Sequence, residues 1–244
     1  SRSSSKLLST KIKIYIMYTG PHIITDGLVL ALDTAAPRSY PGSGTTINDL
    51  SSSGLNGTLV GSPPFSTDNS GILDFDGSSD YITCGTTDAV DLIQNKTNFT
   101  LGIWFKMDAL GSLRGLIGTL NYGCTKNLGL VAHSGNLNFY NDTTTCYSVN
   151  VSGIETGKWL YGVGTYDGTT TRTYMFKDGS LSQASGTSKS GATLTFSSDF
   201  QVWGDQYGGN YTDCKGGVAH VYNRTLSQTE IEQNYNALKN RFSL

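Results

Sequence analysis

One helix signature closes this chain of 244 residues, and everything ahead of it carries the marks of strands. Ser227 and Glu230 have the Ser-x-x-Glu spacing of a capping box, in which each side chain bonds the other residue's backbone N–H. Leu226 and Ile231 stand where a hydrophobic staple clamps the first turn. Gly216 to Tyr222, just before them, reads as a last strand. From Gly27 onward short apolar runs separated by turn residues recur at the spacing of an all-β sandwich. Thirty glycines against five prolines suit many strands joined by tight turns.

The expected strands are 28–33, 55–60, 72–75, 81–84, 99–107, 116–120, 128–132, 137–140, 147–151, 158–166, 173–177, 200–203 and 218–222. Asp167-Gly168 and Asp178-Gly179 mark reversals, because both dipeptides tolerate the positive φ of two-residue hairpin turns. Between Phe99 and Met107 every odd position is apolar and faces the core. Trp104 then falls on the other face with Gly102 and Lys106. It is a sugar-stacking platform, or else a loop or the partner sheet covers it. Gly162 and Gly164 share a face and leave it shallow, which predicts close approach by another segment.

The length suits one domain with a substantial core. A net charge of −2 with no basic stripe excludes phosphate-driven binding to nucleic acid. No apolar run reaches the ~20 residues that span a bilayer, so membrane insertion is not expected. Residues 1–19 read as an extended arm, and residues 20–244 as the folded unit. Ile12, Ile14 and Ile16 alternate with Lys11, Lys13 and Tyr15, a pattern suited to adding a strand to a sheet edge. Cys84, Cys124, Cys146 and Cys214 lack zinc spacing; they allow three pairings as two disulfides, with Cys124–Cys146 favoured, or four buried thiols.

Several segments together resemble the laminin-G-like branch of the concanavalin A-like lectin/glucanase superfamily. They are Phe75 to Ile82, Phe99 to Lys106, Gly157-Lys158-Trp159 with Thr165 to Gly168, and the terminal strand and helix. The resemblance covers roughly residues 26 to 240 and implies a two-sheet antiparallel jelly-roll sandwich with one short C-terminal helix. A narrower likeness is to laminin-G-like proteins of tailed bacteriophages. It is carried by Gly20 to Asp33, Ser39 to Thr45, Tyr222 to Ser227 and Asn234 to Leu238, with Met17 at a family start position and residues 1 to 16 as an extension.

Glucanases of this fold need two carboxylates flanking the scissile bond. This chain has only three glutamates, Glu155, Glu230 and Glu232, and two of them fall on the terminal helix. His22, His133 and His220 are scattered. The expectation is therefore no enzyme. The resemblance also raises calcium, for which Asp76 and Asp80 offer two carboxylates across a tight turn. The alternative there is an Asp-Gly turn bonded to its own backbone. Many relatives carry Asp-Glu where this chain has Ala219-His220, which counts against calcium.

The loop from Gly204 to Asp213 brings flat rings together with amide and carboxylate groups, as a saccharide site requires. Asp205, Tyr207, Asn210 and Tyr211 are the candidates, with Trp104 as the separate platform. Seven Asn-x-Ser/Thr sequons, Asn210 among them, follow from a composition rich in Asn, Ser and Thr. The expected function is a non-enzymatic virion surface or fibre component of a bacteriophage with a carbohydrate-binding or adhesive domain. Its partners would be host-surface or other glycans, and other copies of itself or a virion protein through residues 1–18. The alternatives are a secreted or cell-surface lectin or adhesin, and a carbohydrate-binding accessory module of a glycan-degrading enzyme. Either way the location is a virion surface or extracellular.

Overall fold

The computed structural model describes residues 21–85, 96–119, 128–141, 148–184, 186–188, 199–204 and 209–244. In chain order the first strands are β1 (Leu28–Asp33), β2 (Thr46–Ile47), β3 (Gly57–Val60), β4 (Phe65–Ser66), β5 (Ile72–Asp76) and β6 (Tyr81–Thr83). Next come β7 (Phe99–Met107), β8 (Arg114–Thr119), β9 (Leu128–His133), β10 (Asn136–Asn141), β11 (Ser148–Ser152) and β12 (Trp159–Tyr166). The last are β13 (Thr170–Lys177), β14 (Ser180–Gln183), β15 (Thr187–Ser188), β16 (Gln201–Val202) and β17 (Asp213–Tyr222), followed by helix α1 (Gln228–Leu238) and a 3-10 turn, Lys239–Phe242.

These strands build two sheets. One runs β14-β13-β12-β7-β17-β5-β4, with β1 also on β17 and β15 also on β13. The other runs β11-β10-β9-β8-β16-β6-β3-β2. Every strand pairing among the described residues is antiparallel. The architecture is the expected two-sheet sandwich with one short C-terminal helix. Strands 28–33 and 99–107 have the expected bounds, whereas the last strand starts at Asp213 instead of Val218. Its first half was hidden by Gly216 and Gly217, where a bulge between Gly216 and Val218 interrupts the period of two. The two-residue strands β2 and β4 are too short to show any alternation.

Alternation along β7 sends Phe99, Leu101, Ile103, Phe105 and Met107 into the core between the sheets, all with no exposed surface. The facing sheet comes very close. A Cβ on Gly164 would lie 2.5 Å from the Phe139 ring, and one on Gly162 would lie 2.8 Å from Leu137. The shallow face of β12 is therefore where the second sheet seats its large side chains. Gly216 does the same for the Trp203 indole, 2.4 Å from where its Cβ would stand.

A second core lies on the outer face of the first sheet. Trp104 stacks there on Tyr161, Tyr235 and Phe242 at 5.1, 5.5 and 4.3 Å, and it is wholly buried. Trp104 is thus corrected from sugar platform to packing anchor, because α1 and the 3-10 turn cover the face that alternation assigns to it. The capping box forms as the spacing predicts: Ser227 Oγ accepts from the Glu230 N–H, and Glu230 accepts from the Ser227 N–H at 2.8 Å. Leu226 and Ile231 are both buried in this second core.

Two further expectations need correcting. Asp178 (φ 48°) and Gly179 (φ 81°) form the two-residue turn, but Asp167 to Thr169 is a three-residue loop in which only Gly168 has positive φ. Asp167 instead accepts the Thr169 and Thr170 N–H groups with its carboxylate. Cys84 and Cys214 are buried, unpaired thiols, so a scheme with all four cysteines in disulfides does not hold. Cys124, Cys146 and the expected arm, residues 1–19, lie outside the described residues.

Candidate functional site

With one outer face under the helix, the strand ends become the place to look for a ligand. Three connections share one end of the sandwich: β5 to β6, β7 to β8, and β16 to β17. Asp213 pairs with Asp76 across β17 and β5, and Cys214 pairs with Met107 across β17 and β7. The Asp108 N–H donates to the Asp213 carbonyl at 3.0 Å, which draws the β7–β8 connection to the same rim.

The β16–β17 connection is anchored at both ends. At its start Trp203 takes the left-handed conformation (φ 53°), and its indole N–H donates to the Trp104 carbonyl at 3.3 Å. Gly204 follows with no room for a side chain, since a Cβ would stand 2.6 Å from that of Tyr81. At its far end the Gly115 N–H donates to the Asn210 carbonyl at 3.2 Å, and the buried Thr212 hydroxyl donates to the Gly115 carbonyl. Tyr211, half-buried between these anchors, sets its ring 6.0 Å from that of Tyr81 at 42°. Of the four loop candidates, Asn210 and Tyr211 therefore stand together at this rim, and Asp205 and Tyr207 lie outside the described residues. Tyr81 was missed, because a strand-initial tyrosine reads as core until the loop is seen to fold back beside it.

The rim is charged. Lys215 holds Asp108 at 2.7 Å and Asp74 at 3.2 Å. Burial opposes the charge on Lys215, but the bonds to those two carboxylates outweigh it and raise its pKa. Asp213 is pushed up by burial first and then by Asp108 and Asp74. Lys215 and Arg114, the first residue of β8, act on Asp213 in the opposite sense, so the rim carries both signs of charge and is compatible with a glycan that brings hydroxyls.

Asp76 and Asp80 lie at the same end, but their side chains serve different partners. Asp76 Oδ1 accepts the N–H groups of Ser78, Ser79 and Asp80 at 2.8, 2.9 and 3.2 Å. Burial works against this carboxylate, yet those bonds lower its pKa. Asp80 is nearly buried and accepts the Ser62 N–H at 3.0 Å. This is the self-bonded turn that was the alternative to a calcium site. Among the described residues no group of three or more His, Cys, Asp or Glu side chains is placed to hold a metal ion.

Each of the three glutamates is engaged by a partner, and Glu155 stands on the β11–β12 connection, which reaches this same end where the Gly157 N–H donates to the Met107 carbonyl at 2.8 Å. Glu155 pairs with Lys177, Glu232 accepts from Gln228, and Glu230 caps α1 while pairing with Arg224. His220, in the position the resemblance raised, is buried beneath the helix with Nδ1 unpartnered. Burial lowers its pKa to about 4, partly offset by Asp33. None of the described helices is long and apolar enough to cross a membrane.

Comparisons with known proteins agree with this architecture. A family model described as the concanavalin A-like lectin/glucanases superfamily, Laminin_G_3, matches residues 76–232. No curated protein matches the chain. Among solved structures, a Trypanosoma rangeli sialidase bound to the inhibitor DANA is similar at 20% identity and TM-score 0.62, over 88% of this chain and 33% of that one. The chain thus spans about a third of the length of the sialidase chains it matches. Domain 4 of AbnA, a GH43 extracellular arabinanase from Geobacillus stearothermophilus solved with arabinotriose, matches at 13% identity and TM-score 0.64, over 88% of this chain and 100% of that domain. The receptor-binding domain of a botulinum neurotoxin C/D mosaic serotype matches at 15% identity and TM-score 0.61, over 86% of this chain and 51% of that one. At these identities the likeness is one of fold.

Proposed function

This chain belongs to the concanavalin A-like lectin/glucanase superfamily, and we propose that it is a non-enzymatic carbohydrate-binding domain that holds neutral glycan at the rim around Tyr211. The observation that carries the reading is a half-buried tyrosine face on a loop pinned at both ends. A ring held that way can stack on a sugar without losing conformational entropy on binding. Asn210 beside it supplies amide donor and acceptor groups, and Asp205 and Tyr207 complete the set by sequence proximity. The solved relatives include one domain in complex with arabinotriose, which supports the ligand class.

The non-enzymatic part is supported by the glutamates, each of which is already engaged by another side chain: Glu155 by Lys177, Glu230 by Arg224 and Glu232 by Gln228. The finer reading is a phage virion surface or fibre component, located outside the cell, with residues 1–18 joining copies of the chain or a virion protein. It is supported by the bacteriophage-like segments at both ends of the sequence and by the alternating arm. The rival readings, a free lectin or an accessory module, share the same binding rim.

A glycan array probed with the intact chain tests the proposal. Neutral oligosaccharides are expected to bind, and Tyr211→Ala is expected to weaken them about tenfold, the loss typical of one stacked ring. Release of reducing sugar from a polysaccharide, abolished by a single aspartate substitution, would overturn the non-enzymatic reading. An array with no neutral glycan bound would overturn the ligand.

A further inference from the structure

A cleft of about 300 Å³ opens at the same end of the sandwich, on the side where the β1–β2 and β3–β4 connections meet. Of the saccharide candidates among the described residues, Trp104, Asn210 and Tyr211, none lines it. Its walls are the Tyr40 ring, Leu59 and Pro63, and its mouth carries the exposed Thr45 and Ser62. The frame is already set. Leu59 N–H donates to the Thr45 carbonyl at 2.7 Å, and the Tyr40 hydroxyl donates to the Gly44 carbonyl at 3.1 Å. Tyr40 is also held edge-on by Phe65, with ring centroids 5.6 Å apart.

Behind the cleft stands a carboxylate. Asp80 Oδ1 accepts the Ser62 N–H, and it fills the space where a Cβ on Gly61 would stand, 1.9 Å away. Glycine at 61, with φ 79°, is what lets the carboxylate come so close. The lining combines apolar and aromatic surface with two alcohols and backbone carbonyls, and among the described residues it contains no cation. Such a lining satisfies neutral hydroxyls, whereas a carboxylate-bearing sugar would be desolvated beside Asp80 with no partner. The volume is at the small end of ligand sites, right for one ring.

We propose that this cleft is a second subsite, taking a single neutral sugar residue between Tyr40 and Pro63. The inference rests on the carbohydrate-binding reading, but it names a site separate from Tyr211. Thr45 and Ser62 hold ring hydroxyls, while Tyr40, Leu59 and Pro63 receive the C–H face.

The test is a backbone amide NMR titration of the intact chain. The probes are the methyl glycosides of galactose, glucose and arabinose, with N-acetylneuraminic acid at the same concentration. The neutral glycosides are expected to shift Gly44, Thr45 and Ser62, in the wild type and in Tyr211→Ala alike. Ser62→Trp, or Thr45→Trp from the opposite wall, is expected to weaken that response about tenfold by filling the cleft. Neutral-glycoside shifts confined to residues 209–213 would overturn the cleft and leave the Tyr211 rim standing. Shifts at neither place would overturn both. An equal response to N-acetylneuraminic acid, or no effect of either tryptophan, would also overturn the cleft.

Discussion

Asp76 folds its own carboxylate into the turn that follows it, and three backbone N–H groups depend on that one oxygen. Asp76→Ala strands those donors at an exposed rim, where water replaces part of what is lost, so the expected cost is about 1 kcal/mol. Urea unfolding should give the same loss in calcium and in chelator; a loss seen only in calcium would make this turn a cation site. The sequence named both readings of Asp76, since an Asp-Gly-Ser-Ser-Asp run serves either one. What separates them is where Asp80 turns, and that depends on Ser62, a contact across 18 residues. Trp104 shows the same limit from the other side. Its face was legible from the alternation of β7, but its cover comes from residues 235 and 242, far along the chain.

Helix α1 is the element whose local code was most complete, and its cap predicts how acid should weaken it. Arg224 first, and then the Ser227 bonds against the cost of burial, lower the Glu230 pKa from 4.5 to about 2. A carboxylate lowered in this way stabilises the folded chain above its unfolded pKa and loses that contribution as the pH falls through the folded value. The window is therefore pH 4.5 down to about 2. Glu230→Gln should unfold more easily than the wild type at pH 6, by about 1–2 kcal/mol after allowing for partial exposure, and the gap should close by pH 2. A gap independent of pH would mean that only the neutral capping bonds matter. His220 acts earlier: its folded pKa of about 4 lies below the ordinary 6.5, so the unfolded state takes up the proton first and stability falls between those values.

The molecule as a whole holds two cores, one between the sheets and one under the helix, and the first sheet is their common wall. Arg241 ties the far end of the chain to that wall. Its guanidinium donates to Asp33 and to the Gly71 carbonyl at 2.6 Å, and to the Asn69 carbonyl at 2.7 Å. Removing residues 228–244 should uncover Trp104, Tyr161 and Phe176 together, an apolar patch larger than a soluble surface normally carries. The expected outcome is red-shifted tryptophan emission and self-association in sedimentation. A truncated chain that stays monomeric with unchanged emission would show that this face does not need the helix. The arrangement also bears on function, since a face so covered by the helix is closed to a ligand.

Most of the longer strands, the core face of β7, the shallow face of β12 and the capped helix could be read from the order of residues, because each is written in spacings of two to four along the chain, whereas β2, β4, β14 and β15 could not. Asn210 and Tyr211 could be nominated from composition alone. Their association with Tyr81, the burial of Trp104, the bulge that restores β17 to full length and the cleft between Tyr40 and Pro63 could not. Those features are contacts between segments tens to more than a hundred residues apart, and chain folding, not local spacing, brings such segments within a few ångströms of one another.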